Sequence, residues 1–390
     1  MTMPCKIGFL LNHDAAHQAA HSVPVAIDLA ARGDCTVTII VTSQAEADAV
    51  AAICSARPQV SVVVEQWRVP KLVHWLDRLT GGALALKRVG TLWHYRSRLA
   101  RMTALVVPEK TSVLLKSWLG ADCPVLINIR HGAGDRACGN FGRKMARFDL
   151  HLLPGPKYER LLQATGLVDA QHYAVIGYPK LEHYAQQPRP KYFTDERPVV
   201  VYAPHFDPLT SSWYEWGQQV LEFFISNRQY NLIFAPHVLL FARDWHVSSN
   251  GGRPRKTGSI PDAAWDADNI HIDCGSQALV DMSYMRAADI YLGDVSSQVY
   301  EFLYQPRPCV FLDPGQTDWQ HNAQYRYWRC GDVVQNFAQF KTALQQAQSE
   351  HPGYLPEQQQ AFADTFSVTK KPAAARGADA IMDFLRRRQA

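Results

Sequence analysis

The chain has 390 residues, 47% apolar and 19% charged, a globular composition long enough for two domains with their own cores. Its formal net charge of +4 is too small to argue for a nucleic-acid partner. Eight cysteines show no C-x-x-C pair and no zinc spacing, so the expectation is unpaired thiols in a reducing, cytoplasmic setting. No window approaches the ~20 apolar residues of a membrane-spanning helix, and the apolar run Ile7–Leu11 is too short for a signal peptide.

The first elements alternate. Lys6–Leu11 predicts a buried strand, followed by a loop at Asn12-His13-Asp14. His17–Ala31 has helical periodicity, Thr36–Val41 is a second strand, Ala45–Ala56 a helix and Val60–Val64 a third strand. Strands separated by helices at this spacing argue for a parallel sheet covered on both faces. From Val69 to Arg101 the pattern changes to aromatics mixed with bases, including Trp75, Trp93, Arg96 and Arg101. An ordinary surface helix with core-facing aromatics is the simpler reading. The same residues also suit peripheral contact with an anionic membrane through Trp75–Arg101.

Strands are expected at Ala104–Val107 and Val125–Ile129. The second ends in His131-Gly132-Ala133-Gly134-Asp135-Arg136, where a ligand beyond a parallel strand would meet an imidazole and a glycine-bearing loop. A turn with an incidental histidine is the alternative. Phe148–Leu153 is a strand, Tyr158–Thr165 a helix, and Ala174–Ile176 a strand leading to Gly177-Tyr178-Pro179-Lys180. Residues 188–198, rich in Pro, Lys, Arg and Asp, read as a linker. The expected domains are therefore 1–187 and 199–372, with 373–390 as a separate closing helix.

The second half opens with the strand Val199–Tyr202 and Ala203-Pro204-His205. Trp213–Ser226 is a helix, and Asn231–Phe234 a strand ending in Ala235-Pro236-His237. Val247–Ser259 has no apolar face and is expected to be a mobile loop. Ile270–Ile272 is a strand and Gln277–Ala287 a helix. Ile290–Leu292, Gly293, Asp294-Val295-Ser296-Ser297, a helix to about Tyr304 and the strand Cys309–Leu312 then make a βαβ unit. A helix start with two serines suits a phosphate, and Glu301 one turn on suits a ribose; serines that merely cap the helix and a solvated acid are the alternative. Phe337–Gln348 and Ala374–Arg388 are helical. No internal repeat is apparent.

Taken in order, these motifs resemble the CDP-glycerol glycerophosphotransferase family of wall and capsule polymerases. They are His131-Gly132, Gly177-Tyr178-Pro179-Lys180, Tyr202-Ala203-Pro204-His205, Pro236-His237, Asp294-Val295-Ser296-Ser297, Glu301 and Arg307-Pro308. His205 stands where the family usually has threonine, Lys180 where it has arginine, and Glu301 where many members have aspartate. The resemblance implies a GT-B-like α/β fold: two Rossmann-like αβα domains facing across a cleft, with a C-terminal helix closing the architecture. It implies a transferase that moves a glycerol-phosphate unit from a CDP-activated donor to a glycan or lipid-linked acceptor. His131 and His237 would be catalytic. Asp294, Ser296, Ser297, Glu301, His205, Pro236 and Lys180 would serve the donor, with Asp294 orienting its loop rather than meeting phosphate. Gly132, Arg136, Asn12 and His13 would lie on the acceptor side. No cofactor or metal is implied, since no D-x-D motif stands at a strand end. His237 as a satisfied strand-end histidine and His205 as merely packed remain open. The rivals are an inverting GT-B glycosyltransferase using a nucleotide sugar and a non-catalytic nucleotide-binding relative.

Overall fold

The computed structural model describes residues 5–12, 16–70, 73, 86–135, 142–248 and 250–389. The chain divides into two compact units. Unit 1 comprises Met1–His131, Ala137–Gln186 and Asp364–Ala390; unit 2 comprises Gly132–Arg136 and Gln187–Ala363.

Unit 1 is built on a seven-stranded parallel sheet. Its strands are β1 (Lys6–Leu11), β2 (Thr36–Val41), β3 (Val63–Gln66), β4 (Ala104–Val107), β5 (Val125–Ile129), β6 (Leu150–Leu153) and β7 (Tyr173–Val175), in the order β3-β2-β1-β4-β5-β6-β7. Alternate residues of one strand enter different cores: Phe9 and Leu11 join one apolar cluster, Leu10 the other. A strand buried on both faces reads as a continuous apolar run, which is why KIGFLL and TVTIIV were legible. Ser43 caps the helix Gln44–Cys54 and Glu46 reciprocates, closing a capping box. The C-terminal helix Ala373–Gln389 packs Ile381, Phe384 and Leu385 into the same cluster as Val23 and Ile27 of the helix Ala19–Arg32. Arg32 bonds Asp379 at 2.9 Å beside that contact.

Unit 2 has a six-stranded parallel sheet of β8 (Val199–Ala203), β9 (Asn231–Phe234), β12 (Ile270–Ile272), β13 (Ile290–Gly293), β14 (Cys309–Leu312) and β15 (Asp332–Val334), in the order β12-β9-β8-β13-β14-β15. The helix Trp213–Ser226 buries Val220, Leu221 and Phe224 against it.

Some local expectations change. Val247–Ser259 is not a shapeless loop: β10 (Trp245–His246) and β11 (Arg255–Lys256) pair antiparallel across it. The expected helix Gln277–Ala287 is broken at Met282, whose φ of 69° ends one short helical turn and starts the helix Ser283–Ala287. The helix expected at Phe337–Gln348 runs from Phe340 to Thr365 through Pro352 and Pro356, well past the expected end. Its prolines made it read as shorter. No described helix is long and apolar enough to cross a membrane. The segment Trp75–Arg101 is described only from residue 86 onward, where Leu86–His94 forms a helix with Leu92 buried and Trp93 49% exposed.

Candidate functional site

In unit 1 polar side chains stand at the carboxyl ends of β1 and β5. Asn12 follows β1 and is 2% exposed, its side-chain amide donating to the Arg88 carbonyl at 3.1 Å. That bond fastens the Asn12 side chain to the start of the helix Leu86–His94. His131 lies just past β5. Its Nδ1 sits 2.6 Å from the Pro108 carbonyl oxygen. A carbonyl can only accept, so Nδ1 carries the proton and Nε2 carries the basic lone pair.

Edge-on to His131, at 6.5 Å between ring centres, is His21, which also meets Tyr178 at 4.9 Å. His21 is 2% exposed and its Nδ1 has no hydrogen-bond partner. Burial, then the neighbouring Lys180, His131 and His17, hold it far below its ordinary pKa, so it stays neutral. Lys180, expected on the donor side, is 4% exposed in unit 1 with this histidine group. His21 was not singled out in the sequence, although His17 and His21 stand four apart at a helix start and so share a face. His13 and Arg136 lie outside the described residues.

In unit 2 the organising group is Asp294, fully buried just past β13. One carboxylate oxygen accepts from the His205 N–H at 2.9 Å and the Val295 N–H at 2.6 Å. The other accepts from the Ser212 N–H at 2.6 Å and hydroxyl at 2.7 Å. Burial nonetheless pushes its carboxyl up to about 6, against the pull of those donors. The indole of Trp328 donates to the Asp294 carbonyl at 2.9 Å. Asp294 therefore knots together the ends of β8 and β13, and both its oxygens are occupied within the protein. Ser212 and Trp328 were missed, because partners 82 and 34 residues away leave no local pattern.

The ends of β8 and β9 carry the same three letters after an aromatic residue. The strands are in register, Tyr202 opposite Phe234, and each is followed by Ala-Pro-His. The repeat is short enough to be read as two separate strand ends. It sets His205 and His237 side by side, 5.1 Å between ring centres. His205 Nδ1 accepts from the Asp207 N–H at 3.1 Å, and His237 Nδ1 accepts from the Leu239 N–H at 3.2 Å. An Nδ1 that accepts has no proton, so each neutral ring bears its N–H at Nε2. Burial, then His246, pushes His237 down to about 4. Pro236 is buried and holds the strand end, its missing N–H being no loss where the sheet stops. Among the described residues no group of three or more His, Cys, Asp or Glu is placed to hold a metal ion.

The Ser296-Ser297 turn precedes a helix of five residues, Gln298–Phe302, shorter than expected. Ser296 Oγ accepts from the Gln298 N–H at 3.3 Å, while Ser297 makes no side-chain cap bond and is half-buried. Glu301 is 5% exposed, not a solvated surface acid. The segment after His131 belongs to this unit. Tyr300 donates to Asp135 at 2.6 Å, both side chains being buried. A Cβ on Gly134 would come within 3.1 Å of the Ser297 Cβ, so glycine is what lets this loop lie against the serine turn. Gly132 needs its residue type for another reason, a left-handed φ of 77° with open space around it.

The arrangement is that of GT-B-like α/β proteins: two parallel sheets, each flanked by helices, with histidine- and serine-bearing loops at strand ends. No protein-family model and no curated protein sequence matches the chain. Solved structures do resemble it. The wall teichoic acid polymerase TagF has a TM-score of 0.60 at 12% identity, over 99% of this chain and 90% of that one. UDP-GlcNAc 2-epimerase from Neisseria meningitidis, bound to UDP-GlcNAc, scores 0.55 at 14% identity, over 99% and 100%. The glycotransferase of kitacinnamycin scores 0.55 at 14% identity, over 98% and 99%. At these identities the likeness establishes the fold.

Proposed function

We propose that the protein is a transferase that moves a glycerol-phosphate or similar polyol-phosphate unit from a CDP-activated donor to a hydroxyl of a cell-surface glycan or lipid-linked acceptor, releasing CMP. The carrying observation is the opposite setting of its strand-end histidines: Nδ1 of His131 faces a carbonyl oxygen, and Nδ1 of His205 and of His237 each face a backbone N–H. His131 has its lone pair at Nε2, whereas His205 and His237 have N–H groups there. One is built to take a proton and two to give hydrogen bonds.

In this reading the acceptor oxygen attacks the β-phosphorus as His131 Nε2 takes its proton. The bond from the β-phosphorus to the bridging oxygen breaks, and that oxygen leaves on CMP. The resulting imidazolium keeps its Nδ1–H on the Pro108 carbonyl, so it forms without reorienting. His237, with His205 beside it, and the hydroxyls of Ser296 and Ser297 donate to the phosphoryl oxygens on which charge builds. Glu301 holds the ribose. Support comes from the motifs, from the two orientations of imidazole, and from the likeness to TagF, one structure of which was obtained with CDPG.

A thermal-shift panel of CDP-glycerol, CDP-ribitol, CMP, UDP-sugars and GDP-sugars tests the donor, since a binder stabilises by mass action. Cytidine nucleotides are expected to stabilise the protein, with CMP appearing when acceptor is added. His131→Ala should lower turnover by ~10²–10⁴-fold with folding intact, and a loss below about tenfold would remove it as the base. A second reading, transfer from a nucleotide sugar, is favoured by the likeness to the kitacinnamycin glycotransferase and the UDP-GlcNAc enzyme. Selective stabilisation by a UDP-sugar and release of UDP would select it.

A further inference from the structure

The hairpin β10–β11 is fastened on one face and bare on the other. His246 is buried and its Nε2 bonds the Leu240 carbonyl at 2.9 Å. Opposite it Arg255 bonds Glu215 at 2.8 Å and lies 5.6 Å from the centre of the Tyr214 ring. Beyond the strands, Thr257 bonds the Arg243 carbonyl at 2.7 Å, and Ser248 bonds Asp207 at 3.0 Å. Strand alternation then turns Trp245 and its cross-strand partner Lys256 outward, with Val247 on the same side as Trp245.

Trp245 is 58% exposed and Val247 60%. Leu209, 55% exposed, stands beside Gly252 of the hairpin connection, and Leu239, 43% exposed, follows the loop of His237. These are four large apolar side chains held in water by a scaffold that spends several buried hydrogen bonds on keeping them there. Exposed bases share the segment: Arg243, Arg253 and Lys256, with Arg255 turned to Glu215 and Asp244 the acid among them.

We propose that this hairpin face is a membrane-docking surface that seats unit 2 on an anionic bilayer. Exposed apolar side chains led by a tryptophan, on a segment that also carries exposed arginine and lysine, match the acyl-chain boundary and the anionic headgroups together. This surface is distinct from Trp75–Arg101, and the proposal does not depend on which donor the protein uses.

The test is flotation of the full-length protein with phosphatidylcholine vesicles and with vesicles containing 30% phosphatidylglycerol, each at low and high salt, a design meant to separate charge from burial. Binding is expected to the anionic vesicles, weakened at least fivefold by salt. Trp245→Asp with Val247→Asp should cut it at least tenfold without lowering the melting temperature, because both side chains are largely in water. Arg253→Glu with Lys256→Glu should reduce binding to anionic vesicles but leave the fold unchanged. The proposal is overturned if anionic vesicles fail to bind the protein, if the variants bind as well as the parent, or if the variants instead abolish self-association of a protein that never floats.

Discussion

At the scale of single residues, the account turns on which ring nitrogen faces which backbone group. His131 was legible as a candidate because a histidine-glycine pair follows a strand, but its tautomer was not: the Pro108 carbonyl that sets it is 23 residues away. Asp294 accepts four hydrogen bonds from the backbone and the Ser212 hydroxyl around its own loop. Asp294→Ala would leave the His205 and Ser212 donors buried without an acceptor, at a cost of roughly 2–4 kcal/mol. The expected outcome is a melting temperature lower by several degrees; an unchanged melt would deny the knot. Gly132→Ala places a Cβ at a left-handed φ and should cost about 1 kcal/mol in chemical denaturation. Gly134→Ala should instead act through its contact with Ser297, raising the donor KM with a smaller loss of stability.

At the scale of elements, strands buried on both faces announced themselves, since a run such as VVVYA has no other comfortable environment. Elements whose logic is not apolar periodicity stayed hidden. The hairpin β10–β11 is two residues per strand and is held by side-chain bonds to other loops, so its sequence reads as a polar linker. The helix Phe340–Thr365 carries two prolines that tertiary contacts overrule, among them Gln358 donating to the Cys330 carbonyl at 2.7 Å. The C-terminal helix was seen from its apolar face, though not which sheet it covers. Ile381 is fully buried against the helix Ala19–Arg32 in the unit 1 core. Ile381→Ala should destabilise by ~2–5 kcal/mol, measured by denaturant unfolding. A change below 0.5 kcal/mol would mean the helix is not seated there.

At the scale of the whole molecule, buried titratable groups set how stability responds to acid. His151, fully buried in β6, is held down to about 4 by burial, and His237 likewise to about 4. Between pH 6.5 and 4 the unfolded chain binds protons that these folded-state rings refuse, so stability falls as pH drops through that window. Asp294, raised to about 6, has the opposite sign: its folded form takes a proton first, so its contribution improves as pH falls from about 6 towards 4 and offsets part of the loss. The fully buried His151 alone carries on the order of 3 kcal/mol across the window. His151→Leu should therefore lose less stability than the parent between pH 7 and pH 5 in parallel melts. Equal losses would contradict the assignment. The division of labour among His131, His205 and His237 is tested most directly by long-range 15N–1H NMR of the histidine rings near pH 7.5, with single-histidine variants for assignment. The account predicts the proton on Nδ1 of His131 and on Nε2 of both His205 and His237. A proton on Nε2 of His131, or on Nδ1 of His237, would contradict it.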